Sequence, residues 1–208
     1  MYTTKSGLIL GFHGCDEKIA HDLVLQNTKF KPSANKYDWL GKGMYFWENN
    51  PLRALEFITD LCNNPQKDKI TIVKPAVVGA VIDLGHCLDL TDYYGIKILK
   101  EAYEYYEDLS KASGWEVLQN TNPKSISDNP DNLWRQLDCA VINLHHQFRA
   151  DNGLQQFDSV RGVFVEGNEL YPSAGFRDKN HIQLSIINPN CIKGFFLPRE
   201  REEIKIHA

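Results

Sequence analysis

The residues best suited to chemistry lie in three short segments that are far apart in the chain. Phe12-His13-Gly14 joins an imidazole to a glycine, which leaves room for a ligand to approach the backbone closely. Gly41-Lys42-Gly43-Met44-Tyr45-Phe46 brings a tyrosine, whose flat apolar ring suits a planar aromatic ligand. His181-Ile182-Gln183 ends in an amide that can hold a hydroxyl group but cannot act as a general base. The order and spacing of the three segments, more than any one residue, suggest that they belong to one functional site.

Several other kinds of site are not indicated by the sequence. Gly41-Lys42-Gly43 lacks the spacing of a P-loop or of the dinucleotide-binding glycine fingerprint, and neither GxSxG nor HExxH occurs. His145 and His146 are adjacent, so on a helix they would point roughly 100° apart, which disfavours a shared metal. Cys15 would share a strand face with His13 only if the first strand continued through both residues. The sequence therefore predicts no metal site and no cysteine nucleophile.

Composition describes an ordinary globular chain. With 208 residues, 42% of them hydrophobic, residues 1–208 are expected to form a single domain. The net charge of -4 argues against a broadly basic surface that coats nucleic acid, although a local basic groove stays open. Five single cysteines without a CxxC pair predict reduced thiols, and no apolar run is long enough for an export signal or a membrane span. A cytoplasmic protein with no membrane partner is expected.

The pattern of elements favours an α+β fold over a doubly wound parallel sheet, because helices cluster in the middle of the chain and strands at both ends. Predicted strands cover 7–13, 43–47, 73–84, 160–166, 181–188 and 193–197. Helices are predicted after the N-caps Asp16, Asn50 and Asp92 and again around 133–144. The second helix is expected to bury Leu52, Leu55, Ile58 and Leu61. The segment 27–43 is predicted to be a long, ordered and functional loop.

In this order the three segments resemble the signature regions of the ADP-ribosyltransferases of the diphtheria-toxin and poly(ADP-ribose) polymerase branch. That branch carries His-Gly on its first strand, Gly-x-Gly-aliphatic-Tyr-Phe before a helix, and Glu on a late strand. The first two regions match closely, and Gln183 stands where the third has Glu. The resemblance implies a split antiparallel β-sheet core with helices packed around it.

The resemblance also implies a role for individual residues. His13 would hydrogen-bond the adenosine-side ribose of NAD, and the backbone of Gly14 would pair with the nicotinamide amide. Tyr45 would stack on the nicotinamide ring. Phe57 lies next to Glu56, which occupies the place of a second aromatic found in many members. The remaining NAD-binding residues would be Lys42, Gly43 and Phe57.

The third position changes the expected chemistry. Cleavage of the nicotinamide–ribose bond develops positive charge on the sugar, and a carboxylate stabilises that charge better than the amide of Gln183. Glu166, or Glu169, in the loop before the late strand is expected to supply the missing carboxylate. The predicted catalytic set is therefore His13, Tyr45, Gln183 and Glu166. Since an amide cannot deprotonate an acceptor, transfer of a single ADP-ribose is favoured over chain elongation.

The expected function is mono-ADP-ribosylation of a macromolecular acceptor, protein, RNA or DNA, with NAD as co-substrate and no metal. Two alternatives stay open: a catalytically silent module that binds NAD or ADP-ribose, and an NAD glycohydrolase that uses water as acceptor. Small stand-alone bacterial members of this family often act as toxins or defence effectors, and a toxin would imply a neutralising partner protein. All of these expectations require the three segments to converge on one nicotinamide nucleotide.

Overall fold

The computed structural model of the protein describes residues 7–64, 72–123 and 131–199. Within these ranges, seven strands form one mostly antiparallel sheet and four α-helices pack on it, which fits the α+β class predicted from the sequence. The strands are β1 (Ile9–Asp16), β2 (Met44–Glu48), β3 (Pro75–Ile82), β4 (Cys87–Asp89), β5 (Ser159–Phe164), β6 (His181–Ile186) and β7 (Ile192–Phe196). The helices are α1 (Glu17–Val24), α2 (Pro51–Asn63), α3 (Tyr93–Ser113) and α4 (Gln136–Asp151).

The sheet has the order β4-β5-β6-β2-β1-β3-β7, and its two halves meet at a short ladder between β1 and β2. β1 pairs with β3 along its whole length, from Ile9 to Asp16. With β2 it forms only two residue pairs, Gly11 with Glu48 and Phe12 with Trp47. Beyond that ladder the two strands are no longer joined by paired backbone, and we call this place the β1–β2 gap.

β1 is longer than the sequence predicted. It runs to Asp16, so His13 lies inside the strand and not at its end, and the predicted boundary at residue 13 was wrong. The reason is long-range: the Asp16 carboxylate accepts hydrogen bonds from the backbone amides of Val73 (2.8 Å) and Lys74 (3.1 Å), which hold the entry to β3 against the end of β1. The same carboxylate accepts from Lys18 and N-caps α1, as predicted.

α2 begins as predicted, because the side chain of Asn50 accepts a hydrogen bond from the Arg53 amide and Pro51 follows at the first helical position. The predicted buried stripe was largely wrong: only Ile58 of that stripe is fully buried, and Leu52 is 64% exposed. The helix instead turns Arg53, Ala54 and Ile58 towards the sheet. This rotation brings the α2 backbone unusually close to β1.

Side chains on the two faces of the sheet build separate cores. One face carries the cluster around Phe46, Ile82 and Leu184. The opposite face carries the cluster around Leu40, Ile142 and Val160, against which α4 packs. The backbones of His13 and Tyr45 lie between these two cores, where the β1–β2 ladder ends.

Two histidines of α4 make the fold sensitive to acid. The rings of His145 and His146 lie 5.9 and 6.1 Å from the ring of Phe157, and the Nε2 atom of each is buried with no hydrogen-bond partner in the described part of the chain. Burial, and then the charges of His145 and Arg149, lower the pKa of His146 to about 4. The folded state therefore keeps this imidazole neutral where an unfolded chain would protonate it.

We expect the free energy of unfolding to fall as the pH drops from about 6.5, the ordinary histidine pKa, to about 4. In that window the unfolded chain binds more protons than the folded one, so acid favours unfolding. Below about pH 4 His146 is protonated in both states, and no further stability is lost through it. Urea denaturation across the window measures the slope. His146→Gln should flatten it, whereas the exposed-site control His21→Gln should leave it unchanged; an equal slope in all three proteins would contradict this account.

Candidate functional site

The β1–β2 gap is bridged by a side chain. Nδ1 of His13 lies 2.9 Å from the backbone carbonyl oxygen of Tyr45. A carbonyl can only accept, so Nδ1 carries the proton and Nε2 keeps its lone pair. Burial lowers the pKa of His13 to about 4, although the bond to Tyr45 opposes that shift. At neutral pH this imidazole is thus an uncharged acceptor, suited to hold a hydroxyl group.

The hydroxyl of Tyr45 is hydrogen-bonded to the backbone of the loop that precedes β2. It donates to the carbonyl of Gly41 at 2.6 Å and accepts from the amide of Leu40 at 2.8 Å. Burial raises the pKa of Tyr45 well above its usual value, so the phenol stays neutral. Its partly buried ring packs beside the core cluster of Leu40. The ring, and not the hydroxyl, is what Tyr45 can offer to a ligand.

The expected catalytic residues do not line one surface. Side chains alternate along a strand, so Tyr45 shares the face of Trp47, and Gln183 pairs with Trp47 on that same face. His13 points to the opposite face, where its ring lies 6.0 Å from that of Phe46. Tyr45 and Gln183 thus share a face of the sheet, while His13 reaches the gap from the other side. The amide of Gln183 makes no hydrogen bond to a described side chain or backbone group.

The two glycines of the signature segments are required by packing. A β-carbon on Gly14 would collide with the carbonyl oxygen of Ala54 and lie 2.8 Å from the side chain of Ile58, because α2 passes so close to β1. A β-carbon on Gly43 would collide with Oγ of Ser185 on β6. The structure thus gives both glycines a role in the fold itself, whatever they do for a ligand.

Lys42 and Phe57 lie at the edges of this region. The side chain of Lys42 is exposed and forms no ion pair with a described residue, while its backbone amide donates to Asn143 at 2.9 Å. Phe57 is 40% exposed, and its ring lies 5.0 Å from that of Trp47. Phe57 therefore contacts the Trp47 side of the sheet, and part of its side chain stays exposed.

Cys15 shares the face of His13, because β1 does continue through both residues. It packs in a core cluster with Ala20, Leu23 and Val78. Burial, and then the charge of Asp16, raise the pKa of the Cys15 thiol to about 11. A thiol held in its protonated form is a poor nucleophile.

A polar cluster that sequence reasoning missed lies beyond the ends of β5 and β6. Oε2 of Glu166 lies 3.1 Å from the Arg53 guanidinium and 3.7 Å from Nδ1 of His181. Glu169, the other carboxylate considered for the catalytic set, is exposed and accepts from the Ser173 amide in its own loop. Nothing in the local sequence marks this cluster, since Arg53 and Glu166 are 113 residues apart.

A cleft of about 310 Å³ opens beside this cluster, at the N-terminal end of α2. Arg53 and Glu56, one turn apart on α2, form an ion pair of 3.4 Å at its edge, and Lys179 pairs with Glu56 at the same distance. Charges of both signs are therefore present, and Arg53, Glu56 and Lys179 are paired with one another. The lining residues are Asn50, Leu52, Arg53, Glu56, Asp178 and Asn180.

No family model, curated protein or solved structure matches this chain significantly. Within residues 7–64, 72–123 and 131–199, no group of three His, Cys, Asp or Glu side chains is arranged to hold a metal ion. In the same ranges, each helix is too short or too polar to traverse a lipid bilayer.

Proposed function

We propose that this chain is a mono-ADP-ribosyltransferase of the diphtheria-toxin and poly(ADP-ribose) polymerase type, with NAD as co-substrate and no metal. The observation that carries the proposal is the β1–β2 gap, where the first two signature segments meet through the bond from His13 to the Tyr45 carbonyl. The short ladder beside that gap is also what a split antiparallel sheet requires. A cytoplasmic location belongs to the same proposal.

In this proposal the two nucleotide halves of NAD lie on the two faces of the gap. The adenosine half lies on the His13 face, where Nε2 accepts a hydrogen bond from a ribose hydroxyl. The nicotinamide half lies on the opposite face, against the Tyr45 ring and within reach of the unpartnered Gln183 amide. The exposed parts of Lys42 and Phe57 border that half.

In the proposed reaction, the bond between nicotinamide and C1′ of its ribose breaks, and the electron pair leaves with nicotinamide. Gln183 holds a ribose hydroxyl and so orients the sugar. Glu166, on the same side of the sheet, provides negative charge near the positive charge that develops there. An acceptor nucleophile then bonds to C1′, and a single ADP-ribose is transferred.

The silent binding module is the second candidate, and one contact favours it. The charge of Glu166 is already compensated by Arg53, which weakens the electrostatic help that this carboxylate gives to a cationic sugar. In that case the gap would bind NAD or ADP-ribose without turnover.

Incubating the purified chain with NAD labelled in its adenylate, together with cell lysate, separates these functions. We expect nicotinamide release and label transferred to protein or nucleic acid, and digestion with protease or nuclease tells which. Free labelled ADP-ribose alone would instead identify a glycohydrolase, and binding without nicotinamide release would identify the silent module. If modification of the acceptor stops growth of the cell that produces this protein, the result supports the toxin role proposed by analogy. A neutralising partner protein is then expected.

A further inference from the structure

The first residue of β6, His181, is a histidine that neither the expected catalytic set nor the proposed scheme uses. Its side chain is only 2% exposed, and aromatic rings surround it. The Phe164 ring stacks on it at 5.4 Å, and the rings of Trp39 and Trp47 each lie 6.3 Å away. Because alternate residues share a strand face, His181 lies on the Gln183 face, about 6.6 Å along β6.

The hydrogen bonding of His181 fixes its tautomer. Nδ1 lies 2.8 Å from the backbone carbonyl of Lys179, and a carbonyl only accepts, so Nδ1 carries the proton. Nε2 then presents a lone pair, and no described residue donates a hydrogen bond to it. The aromatic neighbours restrict rotation of the ring, so this lone pair has a defined direction.

The carboxylate of Glu166 lies close to the protonated nitrogen of the His181 ring. Oε2 of Glu166 is 3.7 Å from Nδ1, and the Arg53 guanidinium holds that carboxylate at 3.1 Å. A negative charge beside Nδ1 favours the imidazolium that forms when Nε2 takes up a proton. Arg53 holds the carboxylate in this place, and its own positive charge offsets part of that effect. The Lys179 carbonyl therefore orients the ring, and Glu166 adds a nearby negative charge without a hydrogen bond of its own to the imidazole.

The charge state of His181 at neutral pH suits this role. Among the described residues, two charged side chains face His181: Glu166, from the connection between β5 and β6, and Arg53, from α2. The neighbouring strands β5 and β2 place the aromatic rings of Phe164 and Trp47 beside it. Burial is the largest influence and lowers the pKa of His181; Arg53 acts in the same direction, and the Lys179 carbonyl and Glu166 oppose it. The imidazole is therefore neutral and able to accept a proton.

We propose that Nε2 of His181 is the general base that deprotonates the acceptor. This inference rests on the proposed function. The acceptor oxygen of a hydroxyl group or of water forms the new bond to C1′ of the ribose, its proton passes to Nε2, and the broken bond's electron pair leaves with neutral nicotinamide. The imidazolium then returns the proton to solvent. Gln183 orients the sugar, and the Lys179 carbonyl orients the His181 ring. Glu166 keeps its place beside the developing positive charge of the sugar and also lies near the imidazolium, and Arg53 holds this carboxylate.

His181→Ala is expected to lower kcat for nicotinamide release by about 10²- to 10⁴-fold, the usual contribution of a general base, with little change in the Kd for NAD. Added imidazole should restore much of the lost rate, because it can enter the cavity left by the side chain. His181→Gln, which preserves volume, should show the same loss and no acid limb in its pH–rate profile. His86→Ala is the matched control, because Nδ1 of His86 makes the same type of bond to the Gln156 carbonyl.

The outcomes separate the two proposals. A wild-type chain that neither binds NAD nor releases nicotinamide overturns the proposed function and this inference together. A wild-type chain that releases nicotinamide, with His181→Ala and His181→Gln equally active, overturns the inference alone. Loss of activity in both variants through a raised Kd, without rescue by imidazole, also overturns it, because His181 would then serve binding.

Discussion

Replacing Arg161 with methionine is expected to lower the free energy of unfolding by about 3–5 kcal/mol, the cost of leaving buried charges without their partner. The Arg161 side chain, 10% exposed on β5, donates through Nε and Nη2 to Glu48 at 2.5 and 3.0 Å. Its Nη1 donates to Thr91 at 2.7 Å and lies 3.3 Å from Asp89. The guanidinium thus joins the C-terminal end of β2, where β2 pairs with β1, to β4 and β5.

Denaturation in urea at neutral pH measures this effect, and Lys100→Met, at an exposed lysine 4.0 Å from its partner Glu104, is the control with a loss near zero. Adding Glu48→Leu to Arg161→Met should recover part of the loss, because one of the stranded carboxylates is then removed. A loss below about 1 kcal/mol in the single variant would show that the network contributes no more than a surface pair.

Replacing His13 with alanine or asparagine is expected to raise the Kd for NAD by roughly tenfold to a hundredfold, as the loss of one buried hydrogen bond predicts. The two variants separate the two nitrogen atoms of the ring. An asparagine amide can still donate to the Tyr45 carbonyl and bridge the gap, but it has no equivalent of the Nε2 acceptor. Alanine loses both functions, so only His13→Ala should also lower Tm.

Calorimetric titration with NAD measures the Kd of both variants, with His86→Asn as control, since its Nδ1 bonds a carbonyl at 2.8 Å outside the gap. An unchanged Kd in His13→Asn would remove Nε2 of His13 from the binding site. A raised Kd in His86→Asn would show that the effect is not specific to the gap.

Features set by local chemistry could be predicted from the sequence. The caps at Asp16 and Asn50 follow from side chains that accept hydrogen bonds from the first helical turn, and the structure has both. The positions of β2 and β6 follow from short apolar runs between turn formers. These signals are contained in a few neighbouring residues, and no distant contact is needed to read them.

Features set by distant contacts could not be predicted. The buried side of α2 depends on the close approach of Ala54 to Gly14, and the length of β1 depends on Asp16 binding the entry to β3. Register decides that Tyr45 and Gln183 share a face while His13 does not. Arg53 and Glu166 are 113 residues apart, and the sequence around neither residue indicates that they pair. The polar cluster beside β6 was therefore not predicted.

The central claim is that NAD occupies the β1–β2 gap, and NMR of the protein with ¹⁵N-labelled histidine tests it directly. Before ligand is added, the spectrum should show His13 as the neutral Nδ1–H tautomer. On titration with NAD, the account predicts a saturable shift of the His13 Nε2 signal, while the His86 signals stay in place. Saturable binding of NAD that leaves the His13 Nε2 signal unmoved, or no binding at all, would contradict it.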